Sequence, residues 1–193
     1  MKNKKTFFII ALVFVLLIGG ATVLYRQLGK NIAAEQLATQ STNQSDESAA
    51  GETEQKIKAP DFTVYDADGN EVHLADYIGK PIVLNFWASW CGPCQSEMPD
   101  FHEKYLELGD DVHFLMINMT DGARETVESA SAFIAKNEYA FPVFYDTKSD
   151  AASIYGAYSL PTTFFIDADG YAIAQATGAI DAETLQRGLD MIK

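Results

Sequence analysis

Apolar positions divide this chain into three stretches. From Phe7 to Tyr25 they are continuous: nineteen residues without a charge, preceded by Lys2, Lys4 and Lys5. At helical rise such a run comes close to the thickness of a bilayer core. From Asn31 to Lys56 the pattern dissolves into Gln, Ser, Thr, Ala, Asn and Glu, with no aromatic residue and hardly any large aliphatic one. A segment of that kind cannot bury enough surface to offset its ordering entropy, so a tether is expected there. From Ile57 onward short apolar runs alternate with stretches whose apolar residues recur at helical spacing, the pattern of an α/β domain.

Within that domain, Ala59 to Tyr65 reads as a short strand, Asp68-Gly69 as a turn and Glu71 to Leu74 as the returning strand, a β-hairpin. Pro81 to Trp87 and Val112 to Asn118 are continuous apolar runs and are expected as central strands buried on both faces. Between them a helix is expected from about Pro93 to Leu108, kinked at Pro99. Arg124 to Asn137 reads as a further helix, with Val127, Ala130, Phe133 and Ile134 on one face. Phe141 to Tyr145 reads as an edge strand, where Pro142 is tolerable, and Ser149 to Tyr155 as a short helix stopped by Gly156. Thr162 to Ile166 and Tyr171 to Ala176 form two strands around Asp169-Gly170. Asp181 caps a last helix that turns Leu185, Leu189 and Ile192 inward.

The ends of the long apolar run bear on location. A cleaved signal peptide has a shorter apolar stretch and a small-residue cleavage site, for which Ile32-Ala33-Ala34 is a poor candidate, so an uncleaved anchor is favoured. No cysteine lies near this run, which excludes lipoprotein-type lipid attachment. Three lysines before the span against Arg26 and Lys30 after it place the N-terminus in the cytoplasm and the remainder outside the membrane. The expected organisation is residues 1–30 as cytoplasmic end and single-pass anchor, 31–56 as flexible linker and 57–193 as folded domain. From Ile57 the chain has 8 Lys and Arg against 22 Asp and Glu, a net charge of −14, which argues against nucleic acid as a partner.

The chemistry centres on the only two cysteines, Cys91 and Cys94, set between the strand ending at Trp87 and a helix start. A helix N-terminus presents unpaired N–H groups and a partial positive charge, both of which stabilise a thiolate. Gly92 lets the chain bend before the helix, and Pro93 has no N–H to lose in the first turn. Cys91 is therefore the expected nucleophile and Cys94 the thiol that resolves a mixed disulfide. A permanent stapling bridge is a weak alternative, because a two-residue loop constrains almost no chain entropy.

Phe86-Trp87-Ala88-Ser89-Trp90-Cys91-Gly92-Pro93-Cys94 resembles the active-site segment of the thioredoxin superfamily. With Glu97-Met98-Pro99 and the later Leu160-Pro161-Thr162-Thr163-Phe164-Phe165-Ile166-Asp167, the match is closest to the membrane-anchored TlpA/ResA type of extracytoplasmic thiol–disulfide oxidoreductase. The resemblance runs from about Ala59 to the C-terminus. It implies a thioredoxin-like α/β fold: a mixed sheet flanked by helices, an N-terminal β-hairpin and a central helix/strand insertion. It implies that Pro161 is a cis-proline opposite the cysteines, turning the backbone of Leu160 toward a substrate strand. Trp90, Gly92 and Pro93 would line the substrate site, with Trp90 as its apolar lip and Trp87 in the core. Gly178 resembles a glycine that leaves room for the partner's backbone, although a plain turn glycine explains it almost as well.

Asn85 departs from the wider family, which carries a buried Asp at this point to take the proton of the second cysteine. Asn does not titrate. Glu97, one turn beyond Cys94, is the nearest carboxylate in sequence, and a first-turn acid favoured by the helix dipole is the competing reading. No cofactor is expected. Implied partners are disulfide-bearing clients, with apocytochrome c and an extracytoplasmic sulfoxide reductase as candidates, and a membrane thiol transporter as the electron source.

Other chemistries fit less well. A peroxiredoxin has a similar Ala-Pro-Asp-Phe entry but needs a hydroxyl three residues before its cysteine and a proline seven before, where this chain has Ala88 and Leu84. A copper module would need a distal His beyond His113, haem attachment a His in place of Gln95, and zinc a second cysteine pair. The Asp-rich turns at Asp66 and Asp167 lack the Gly and Glu of a calcium loop. A non-catalytic binding module would have no need of both cysteines; the Cys-Gly-Pro-Cys interior resembles that of reducing thioredoxins, which implies reduction of client disulfides, with a disulfide-forming oxidase as the alternative.

Overall fold

A computed structural model describes residues 37–39 and 56–193. Among these residues nine strands form one mixed sheet: β1 (Leu37–Thr39), β2 (Ile57–Lys58), β3 (Thr63–Tyr65), β4 (Glu71–His73), β5 (Ile82–Trp87), β6 (His113–Asn118), β7 (Val143–Tyr145), β8 (Thr162–Ile166) and β9 (Tyr171–Thr177). Their order across the sheet is β1-β9-β8-β5-β6-β7-β3-β4, with β2 also against β9. Among the described residues four α-helices accompany it: α1 (Gly92–Leu108), α2 (Val127–Lys136), α3 (Asp150–Tyr155) and α4 (Ala182–Ile192).

β5 is the middle of the structure. It pairs parallel with β6 and antiparallel with β8, and all six of its residues are buried. Side chains alternate across a strand. Val83 and Trp87 therefore join the core formed with Met98 and Phe101 of α1 and Leu185, Leu189 and Ile192 of α4. Ile82, Leu84 and Phe86 join the opposite core with Val64, Leu74, Ala151 and Ala152. Burial of each large apolar side chain contributes roughly 1.5–3 kcal/mol. Helix α4 approaches the sheet through Gly188, where a Cβ would stand 2.2 Å from the ring of Phe165.

The hairpin of β3 and β4 forms as expected, its turn closed by the Asp66 carboxylate accepting the N–H groups of Asp68 and Asn70. Helix α1 runs on through Pro99. Three expectations need correction. Helix α2 begins at Val127, three residues later than the apolar spacing implied, because Thr126 is its cap and accepts the Ser129 N–H. Strand β7 lies between β6 and β3 rather than at an edge; Pro142 precedes it and offers only its carbonyl, to Met116. Within the expected tether, Leu37–Thr39 pairs antiparallel with Ala174–Ala176 of β9. The apolar run Phe7 to Tyr25 and the rest of the stretch up to Gln55 lie outside the described residues, among which no helix is long and apolar enough to cross a membrane.

Candidate active site

Cys91 and Cys94 are joined in a disulfide where β5 hands over to α1. Cys91 caps the helix: its backbone is extended, and its sulfur accepts the N–H of Cys94 at 3.2 Å. That contact stabilises a sulfur anion when the pair is reduced. Exposure separates the two sulfurs, since Cys91 keeps 5% of its surface and Cys94 none. Of the two, only Cys91 offers any surface to a molecule approaching from outside.

One helical turn beyond Cys94 begins a buried polar cluster. Glu97 is 2% exposed; its Oε1 accepts the Asn85 Nδ2 hydrogen at 2.9 Å and its Oε2 the Ile180 N–H at 3.0 Å. Asn85 donates also to Thr163 Oγ1 at 3.0 Å. Burial pushes the Glu97 carboxyl up to about 7, against the two hydrogen bonds, which favour the charged form. The structure thus places Glu97 on the same face of α1 as Cys94, one turn on, and couples it directly to Asn85. Sequence reasoning named both residues but not their contact.

The Leu160–Pro161 peptide bond is cis. Leu160 lines a cleft of about 560 Å³ together with Trp90, Cys91, Gly92, Pro93, Met119, Asp121, Arg124, Ala157 and Tyr158. Pro161 is buried behind it, and its carbonyl accepts the N–H of Gly178 at 2.8 Å. Gly178 has φ +90° with open space where a side chain would stand, so both its turn geometry and its clearance are real. Trp87 is fully buried and Trp90 is 41% exposed. The Trp90 lip is not bare, however, because the Arg124 guanidinium lies 3.5 Å from the ring centre.

Arg124, Asp121, Tyr158 and Met119 were not singled out from the sequence. The apolar spacing makes Arg124 the first residue of a helix; in the structure the Asp121 and Thr126 side chains bond nearby backbone and make a structured loop there instead. Tyr158, 83% exposed, follows the short helix α3, and nothing in its local pattern connects it with Cys91. Among the described residues no cluster of His, Cys, Asp and Glu is arranged to hold a metal ion.

Comparison with known proteins agrees with this geometry. The model of the AhpC/TSA family matches residues 56–174. The thiol–disulfide oxidoreductase ResA of Bacillus thuringiensis subsp. konkukian is 37% identical over 138 residues, covering 70% of this chain and 76% of that protein. A putative thiol:disulfide interchange protein DsbE from Chlorobium tepidum superposes with a TM-score of 0.63 at 30% identity, over 72% of this chain and 97% of that one. An exposed lipoprotein thioredoxin of Streptococcus pneumoniae superposes with a TM-score of 0.59 at 32% identity, over 68% and 98%. At the positions where a peroxidase of the wider family would need a hydroxyl and a proline, Ala88 and Leu84 are fully buried.

Proposed function

The chain belongs to the AhpC/TSA family, within which it is a thioredoxin-like thiol–disulfide oxidoreductase, and we propose that it reduces disulfides of client proteins outside the cytoplasmic membrane. The observation that carries this reading is the asymmetry of the pair: one sulfur at a helix N-terminus on the floor of an open cleft, the other sealed above a carboxyl poised near neutrality.

In the reduced protein the Cys91 thiolate attacks one sulfur of the client disulfide. A Cys91–client S–S bond forms, the client S–S bond breaks, and the second client sulfur leaves as a thiolate that takes a proton from solvent. Cys94 then gives its proton to ionised Glu97 and attacks the Cys91 sulfur, closing the internal disulfide and releasing the client's remaining thiolate. Two electrons pass from the dithiol to the client, and a membrane thiol transporter restores them. Leu160, turned outward by Pro161, pairs its backbone with the client strand, Gly178 leaves room beside it, and Trp90, Gly92 and Pro93 form the wall the client slides along.

The apolar run Phe7 to Tyr25 with its preceding lysines supports a single-pass anchor with the catalytic domain outside, on a linker through residue 56. Apocytochrome c and an extracytoplasmic sulfoxide reductase are the client classes that the ResA likeness brings forward. The test is reduction of insulin with dithiothreitol: the protein accelerates it, and Cys91→Ser abolishes the acceleration. No acceleration by the wild-type protein overturns the reading. The potential of the pair checks direction, with about −270 mV expected for a reductase and about −120 mV pointing to an oxidase.

A further inference from the structure

The loop between β6 and α2 is built around carboxylates that the redox reaction does not use. Asp121 Oδ1 accepts the N–H groups of Ala123, Arg124 and Glu125 at 2.8, 2.7 and 2.9 Å. These bonds, with a smaller contribution from the nearby charge of Arg124, hold its carboxyl below the usual range. Glu125 is fully buried and clamps the loop to the approach of the nucleophile: Oε1 accepts the Ser89 N–H at 3.0 Å and the Asn118 Nδ2 hydrogen at 2.9 Å, while Oε2 accepts the Ser89 hydroxyl at 2.8 Å. Ser89 stands two residues before Cys91.

Between these two anchors the guanidinium of the exposed Arg124 lies over the Trp90 ring. Among the described residues its guanidinium has no ion pair and no hydrogen bond, although the domain carries a net charge of −14 and therefore offers many carboxylates. Among the described residues it is the only cation lining the cleft of Cys91 and Leu160, and the one acid among them, Asp121, has three backbone donors on one of its oxygens. A stacked guanidinium is a rigid fork with little freedom left to lose, and its donors match both oxygens of a carboxylate.

Resting on the reduction proposed above, we infer that Arg124 is a specificity residue that reads an acidic side chain beside the client's cysteine. The occupant of the cleft is an extended segment with Asp or Glu next to the disulfide being reduced. The segment's carboxylate meets the guanidinium fork while its sulfur meets Cys91. Glu125 and Asp121 are positioning residues for that fork.

Three disulfide-linked peptides that differ only in having Glu, Gln or Lys next to the cysteine test this, with the full-length protein and dithiothreitol as reductant. The kcat/KM for the Glu peptide is expected to exceed that for Gln about fivefold, with Lys lowest. In Arg124→Gln the Glu-to-Gln ratio falls to about one or below, since the acidic domain then acts unopposed, and Arg124→Lys restores part of it. A ratio unchanged by Arg124→Gln, a wild-type preference for Lys, or an equal slowing of all three peptides with a shifted pH profile of Cys91 alkylation each overturns the inference. A wild-type protein that reduces none of the three sinks the proposed function, and this inference with it.

Discussion

Strand β5 sends Ile82, Leu84 and Phe86 to one side of the sheet and Val83, Asn85 and Trp87 to the other, and the two sides are built on different terms. On the first side β5 offers nothing but hydrocarbon and rings, and Phe86 packs edge-on against Phe164 at 6.2 Å between centroids. On the second, the same strand buries an amide against a carboxyl, and the amide's Oδ1 has no partner among the described residues. A buried polar atom left in that state costs free energy. The comparison teaches that apolar cores hold both faces, and that on the side of Cys91 and Cys94 β5 also buries a polar pair, Asn85 with Glu97, that costs stability.

The sharpest way to test that division is Glu97→Gln. Resolution of the mixed disulfide is expected to slow about 10²-fold near pH 7 and to lose its pH dependence, measured by rapid quench. An unchanged pH profile removes Glu97 from the proton path. The same variant reads out in stability. The carboxyl has a folded-state value of about 7 against an ordinary 4.5, so the native state holds the proton more tightly than the unfolded one. Stability should therefore fall as pH rises from about 4.5 to about 7 and level off above. Glu97→Gln should remove up to about 3 kcal/mol of that decline, seen in urea melts at pH 5 and 8. Asp146, raised by its own burial at the start of α3, contributes in the same direction and remains in the variant.

On the opposite face, Leu84→Ala is expected to cost 2–5 kcal/mol (about the range for a buried leucine) in urea denaturation while leaving insulin reduction per folded molecule unchanged. A large loss of specific activity there would break the division of labour. Gly188→Ala sits between the two cases. It leaves the polar cluster alone but pushes a methyl into the ring of Phe165, and a loss of about 1–3 kcal/mol in thermal or urea melts is expected.

Much of this was legible in the sequence because it is local. Continuous apolar runs marked β5 and β6 and the spacing of Cys91 and Cys94 marked the helix start, whereas the role of the segment around Pro161 came only from its resemblance to the thioredoxin superfamily. Other features depend on which strands become neighbours. Phe141 to Tyr145 carries no sign that β3 will close over it, and Leu37 to Thr39 gives none that β9 has an open side. The Arg124–Trp90 stack and the clamp from Glu125 to Ser89 join residues 34 and 36 positions apart. Charge at Arg124 and Glu125 reads from the sequence as solvated helix start, and only the fold puts one over an indole and buries the other.

The placement of β1 and β2 along β9 has one more consequence. A β-sheet ends in rows of unsatisfied donors and acceptors that invite strands from other molecules, and here the β9 side is occupied by segments of the same chain. The far side ends in β4, three residues long and carrying Glu71. Both boundaries thus end in strands of two or three residues, which give a strand from another molecule little to pair with.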